Sequence, residues 1–155
     1  MNKGFTLIEL LAVIVIIGIL SAIAVTNVMN AMDSNYKQLV VTDAKTLISL
    51  AKYKVTSSST ERNSITSSSP AIYNINKLNT NKDIQSDPKG GAYNNNSLVL
   101  VSKNSDNTFT YCVYMESTNF YLGLKKYDST LEYKDICVTL EQLNGDNPKE
   151  YVNSI

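Results

Sequence analysis

From Leu10 to Val25 this chain contains nothing more polar than Ser21, and a single carboxylate, Glu9, stands near the head of an apolar block that begins at Phe5. The block holds about 21 residues. As a helix rising 1.5 Å per residue it spans about 31 Å, one bilayer crossing. An acidic side chain in such a span costs about 2.5–3.5 kcal/mol on insertion scales, so by default it marks a functional group that waits for a partner. The plainer alternative is that Glu9 snorkels to the headgroups from its place near the start of the block. A cleaved secretory signal or an ordinary signal anchor fits less well. The charged leading region is nearly absent, since only Met1 to Gly4 precede the block, and an acid falls near the start of the apolar core.

The chain has 155 residues, and removing the first 25 or so leaves roughly one small domain. Its 14 basic and 14 acidic residues cancel, which argues against the clustered Lys and Arg that a DNA-binding surface needs. There is no His, and the two cysteines, Cys112 and Cys137, lack ligand spacing, so no zinc site is expected. No nucleophile–base set is visible either. No enzyme activity, cofactor or metal is therefore expected.

Neither Pro nor Gly occurs between Gly18 and Pro70. Beyond Asn27 the pattern turns amphipathic. Met32, Tyr36, Val40, Leu47, Ala51 and Val55 recur at helical steps, with Asp33, Lys37, Asp43, Lys45 and Lys52 mostly off that stripe. This predicts one helix from about Phe5 to about Val55. The Ser/Thr-rich stretch from Thr56 to Pro70 reads as a polar surface loop or as a glycosylated, adhesive one. Ile75 to Ile84 predicts a short helix with Leu78 and Ile84 inward. Strands are predicted at Ser97–Ser102, Thr108–Met115, Asn119–Leu124 and Tyr133–Val138, with a turn at Asn104–Asn107. Phe109, Tyr111, Val113 and Met115 share one face of the second strand. Thr139 to Gln142 fits a capping box, with a helical turn ending near Gly145. The sum is an α+β fold, a long N-terminal α-helix packed on a C-terminal antiparallel β-sheet.

The residues Lys3-Gly4-Phe5-Thr6-Leu7-Ile8-Glu9 and the apolar tail after them resemble the type III signal of type IV pilins and pseudopilins. A second stretch, Asp87-Pro88-Lys89-Gly90-Gly91-Ala92-Tyr93, resembles the one that precedes the sheet in many Gram-positive pilins and in major pseudopilins. The first resemblance implies a leader at residues 1–4, a transmembrane or filament-core half-helix at 5–27, and a globular pilin domain at 28–155. It implies that a prepilin peptidase cuts between Gly4 and Phe5 and methylates the new amino terminus at Phe5. It also implies that Glu9 pairs with the amino terminus of a neighbouring subunit during assembly by the platform and ATPase machinery. Apolar surroundings make each of those charges costly alone and cheaper together.

One departure concerns the residues after the apolar run. Pilins commonly carry a Pro there, and this chain has Thr26-Asn27-Val28, so the local helix melting tied to that Pro is in doubt. Gly18 reads equally as a common membrane-helix residue or as a point of close helix approach. Some pseudopilins hold calcium. Asp87 and the turn around Asp106 raise that reading against plain solvated turns, without an Asp-x-Asp-x-Asp-Gly pattern to support it. The resemblance places Cys112 and Cys137 outside the membrane, where a disulfide is permitted, and many pilins staple this region with one. Two buried free thiols are the other reading. The function implied is a filament subunit for adhesion, twitching motility or biofilm formation, in the membrane before assembly and on the cell surface after it. The alternative is a pseudopilin of a secretion or DNA-uptake system.

Overall fold

A computed structural model describes residues 6–155. They divide into two compact units between Asn35 and Tyr36. In the first, the described residues enter helix α1, Leu7–Ser57, and their apolar side chains are exposed from Leu7 to Met29. By length and composition α1 is able to cross a membrane. It is helical through Thr26-Asn27-Val28, where no Pro removes a backbone donor. Its end is written in hydroxyls, because Thr56 to Ser59 compete for backbone hydrogen bonds. Ser58 swings to extended angles and accepts the Glu61 N–H, which starts α2, Ser59–Ser64.

The second unit is three layers. Val40, Val41, Ala44, Leu47, Ile48, Ala51 and Val55 of α1 are buried against one face of a six-stranded antiparallel sheet. The strands are β1 (Ala71–Asn74), β2 (Leu98–Lys103), β3 (Phe109–Glu116), β4 (Phe120–Leu122), β5 (Val138–Thr139) and β6 (Val152–Ser154). The sheet order is β1-β2-β3-β4-β6, and β5 pairs with β3 beside that path. Asn104–Asn107 makes the β2–β3 hairpin turn. Asn107 takes a positive φ of 65° there, which Asn tolerates better than most residues. Tyr111, Val113 and Met115 of β3 face α1. The alternate residues Cys112 and Tyr114 are buried as well, with Leu98, Leu100, Ile136 and Cys137 in a second cluster. The chain from Gly123 to Cys137 covers the face away from α1, held by the Cys112–Cys137 disulfide and by the Tyr127 N–H donating to the Tyr114 hydroxyl at 2.8 Å. Gly123 is needed at its start, since a Cβ there would lie 2.7 Å from the Tyr114 ring.

Several sequence expectations are corrected. Met32 is 45% exposed and Tyr36 half-buried, so the buried stripe begins at Val40. The polar stretch after α1 holds α2. The chain between it and the hairpin holds strand β1 and the short helix α3, Ile75–Leu78, which stops well before Ile84. Leu78 and Ile84 are both buried. The expected strand at Tyr133–Val138 is instead a helical turn, α4 (Tyr133–Ile136), followed by the two-residue β5. The Thr139–Gln142 capping box is formed and opens α5, Leu140–Leu143. A 3-10 turn, Pro148–Tyr151, and β6 complete the chain, with β6 supplying the sheet edge beside β4.

The disulfide joins cysteines 25 residues apart, and a loop of that length stabilises by about 3 kcal/mol in the chain-entropy model. Replacing Cys112 and Cys137 by Ser together is expected to lower unfolding stability by about that amount in urea titration. An unchanged midpoint would show that the tyrosine packing holds the 123–137 segment without the bridge.

Candidate functional site

Glu9 sits in the first turn of α1, beside Thr6. The Thr6 N–H donates to Glu9 Oε2 at 2.9 Å, the Thr6 hydroxyl donates to the same oxygen at 2.8 Å, and the Glu9 N–H reaches back to Thr6 Oγ1 at 3.4 Å. The Thr6 carbonyl accepts the Leu10 N–H. Together these make a reciprocal cap in which two otherwise orphaned backbone donors are satisfied. Among the described residues, Glu9 is bound to its own helix start through Oε2. Thr6 is a residue that the sequence reading passed over, although Thr-x-x-Glu ahead of an apolar run is a capping signature. Gly4 and Phe5, the expected processing positions, lie outside the described residues.

The Asp87–Tyr93 turn is a second constellation. Asp87 is buried, and its carboxylate is ringed by donors. The Lys89 and Gly91 N–H groups reach Oδ1 at 2.8 and 2.9 Å, while the Ser117 hydroxyl and the Asn119 amide reach Oδ2. Burial alone pushes the Asp87 carboxyl up, but the hydrogen bonds from Ser117, Gly91, Asn119 and Lys89 outweigh it and hold the group below its ordinary value. Gly91 must lack a side chain because a Cβ would meet Thr118, Asp87 and Asn119. Gly90 takes a positive φ of 86°. At the far end of the turn, the Tyr93 hydroxyl donates to Asp43 of α1 at 2.7 Å. Lys89 lies over the Phe120 and Tyr36 rings, at 4.6 and 5.6 Å from their centroids. The turn is thus a clip between α1 and the β3–β4 connection.

This accounts chemically for both acids raised as calcium candidates. Asp87 faces N–H and O–H donors, and Asp106 accepts from the Thr108 N–H within its own turn. Among the described residues no three Asp, Glu, His or Cys side chains converge on a common point. An open groove of about 710 Å³ runs between Lys52, Tyr111 and Glu141, with the Lys52 amine 5.4 Å from the Tyr111 ring centroid.

Comparison with known proteins bears on the amino-terminal constellation alone. Residues 1–25 match the family model of the prokaryotic N-terminal methylation motif, the prepilin-type signal of type IV pilins. The signal is thus similar to that of type IV pilin- and pseudopilin-like precursors, and the long helix followed by an antiparallel sheet is consistent with the pilin fold. No curated protein matches it, and no solved structure does. The narrower likeness to Gram-positive pilins gains nothing beyond the Asp87–Tyr93 stretch itself.

Asp43 gives a pH prediction. Desolvation raises its carboxyl above the ordinary 3.8, against the hydrogen bond from Tyr93, and Asp87 adds repulsion. The folded state then binds more protons than the unfolded state in the window just above 3.8, so stability falls as pH rises through it. Asp43→Asn keeps an acceptor for Tyr93 and loses the charge. Its melting temperature at pH 7 is expected to equal or exceed that of the unmodified chain, with a flatter profile above about pH 4. A marked loss at pH 7 would mean that the ionised acid is itself required.

Proposed function

We propose that this chain is a structural subunit of a type IV pilus, without catalytic activity. A prepilin peptidase cleaves it at Gly4 and methylates it at Phe5, and it then polymerises through α1 into a surface filament used for adhesion, twitching motility or biofilm formation. The observation that carries the reading is the methylation motif at residues 1–25. It is joined to a helix whose apolar side chains stay exposed from Leu7 to Met29. Such a surface needs lipid before assembly and other helices after it. Glu9 is the proposed assembly residue, pairing with the amino terminus of the next subunit. Other pilin subunits, the peptidase and an assembly platform with its ATPase are the proposed partners.

A second reading, a pseudopilin of a secretion or DNA-uptake system, draws on the Asp87–Tyr93 stretch, which resembles major pseudopilins as well as pilins. Zero net charge lowers the weight of its DNA-uptake form.

The first test is the intact mass of the chain in filaments sheared from producing cells. The expected mass begins at methylated Phe5 and is two hydrogens short for the Cys112–Cys137 bridge. A chain found only in the membrane and still carrying Met1 would overturn the proposal. Glu9→Ala is expected to be cleaved normally yet to give few filaments, scored by immunoblot of sheared and cell fractions. Ordinary filament levels from that variant would remove Glu9 from assembly.

A further inference from the structure

The two sides of strand β3 are unequally covered. On one side β2 pairs with it from Phe109 to Tyr114. On the other, β4 pairs at Met115 and Glu116, and β5 at Cys112 and Val113. Among the described residues no strand pairs with that side at Phe109, Thr110 or Tyr111. The cause is local. The register sets Thr139 opposite Cys112, so a straight continuation of β5 would lie beside Tyr111, Thr110 and Phe109. The Thr139 capping box turns the chain into α5 instead. The Asn104 N–H donates to the Thr108 carbonyl across the hairpin. The Glu116 N–H donates to Ser97 Oγ, whose hydroxyl donates to the Glu116 carbonyl. Even-numbered residues of this stretch therefore turn their main chain toward β2, and Phe109 and Tyr111 turn theirs to the uncovered side.

That side opens on the groove of about 710 Å³, walled by Leu140 and Glu141 on α5 and by Lys52 on α1. Its volume falls within the range of about 300–1,000 Å³ for ligand sites. Phe109 and Thr110 are half-buried, so solvent reaches the edge. An uncovered strand edge is a template for another extended chain. Such edges are commonly blunted by Lys or Pro, and Phe109-Thr110-Tyr111 carries neither. The charge in the groove then selects among extended chains. Lys52 is half-buried, and its amine lies 5.4 Å from the Tyr111 ring centroid. No carboxylate among the described residues pairs with it, and Glu141 on the far wall is exposed. Tyr111 faces α1, so side chains on the same face of an added strand come beside Lys52. An acidic side chain there gains an ion pair that Lys52 lacks in the chain alone.

We propose that the Phe109–Tyr111 edge of β3 binds an extended acidic peptide, which adds to the sheet as a short strand between β3 and α5 and sets a carboxylate beside Lys52. Main-chain pairing supplies the affinity, and Lys52 with the Phe109 and Leu140 side chains supplies the selectivity. The proposal does not depend on the filament reading, since every residue it uses lies in the globular unit.

The test uses the full chain in detergent micelles and a phage-displayed library of random heptapeptides. Selection is expected to enrich peptides that carry Asp or Glu among alternating apolar residues. A synthetic peptide of the enriched sequence is expected to slow amide exchange at Phe109, as a newly paired N–H requires. Lys52→Glu is expected to weaken that peptide about fivefold or more and to turn selection toward Lys and Arg. Phe109→Pro removes a donor at the open edge and spares the β2 ladder, so it is expected to abolish the binding that Phe109→Ala retains. N-methylation of alternate peptide amides leaves the protein unaltered and is expected to abolish binding in one of its two phases. No enrichment over bare micelles, or enrichment of neutral or basic peptides by the unmodified chain, overturns the proposal. Binding that survives N-methylation in both phases, or that Lys52→Glu leaves unchanged, overturns it as well.

Discussion

One helix, α1, has to satisfy unlike surroundings along its length, and most of the chain follows from that constraint. Its first turns are apolar on every side, so they require lipid or other helices. Its later turns are apolar on one side only, and the sheet exists to cover that side. Val40 to Val55 are buried to 1% exposure or less wherever they face β2 and β3. Fully burying one such side chain contributes about 1.5–3 kcal/mol. The sheet is then left with a second face, and β2 and β3 carry apolar residues there too. The Gly123–Cys137 segment answers this as a third layer, stapled because it has little regular structure of its own.

The Asp87 clip shows how a buried charge is kept at low cost. A lone carboxylate in that position would be strongly penalised. Two backbone N–H groups, a hydroxyl and an amide meet its oxygens instead, and they more than offset desolvation. All these donors are supplied by the turn itself or by the β3–β4 connection. They close so tightly on the carboxylate that the turn has no room for a side chain at Gly91, where a Cβ would meet Thr118, Asp87 and Asn119. Asp43 is the contrasting case. It has one strong donor, Tyr93, and burial prevails there. One acid opens the seven-residue turn and the other, on α1, meets its far end at Tyr93, and they differ because of the number of donors each meets.

Legibility in the sequence followed the strength of local signals. The long helix was readable because no Pro or Gly interrupts it, and the Thr139–Gln142 cap because its residues are spaced for it. The β2–β3 hairpin was readable from β-branched runs about an Asn-rich turn. The short elements were not. Tyr133–Val138 reads as a strand through Tyr133, Ile136 and Val138, yet one helical turn sets Ile136 and Cys137 into the second cluster, a tertiary choice that propensity does not contain. Strands β1 and β6 are 4 and 3 residues long and gain their existence from partners distant in sequence. In the candidate site, the Gly-Gly turn was visible as a turn. Its partners Ser117, Asn119 and Asp43 were not, since nothing local links them to Asp87 or Tyr93.

The cap at Thr6 changes how the charge on Glu9 should be viewed. A carboxylate has two oxygens and about four acceptor sites. The Thr6 N–H and hydroxyl both fall on Oε2. Hydrogen bonds and the positive end of the helix lower the cost of carrying the charge into an apolar medium, but they do not neutralise it. Among the described residues no donor meets the second oxygen, and the full formal charge remains. The cap holds the carboxylate against the first turn of its own helix rather than letting it range along the apolar surface. A partner amine that approaches from beyond the helix start meets an oriented acceptor, and little rotamer freedom is left to lose on pairing. Thr6 and Glu9 thus form one capped unit at the start of α1, and under the assembly proposed above it is this held acid that would meet the partner amine.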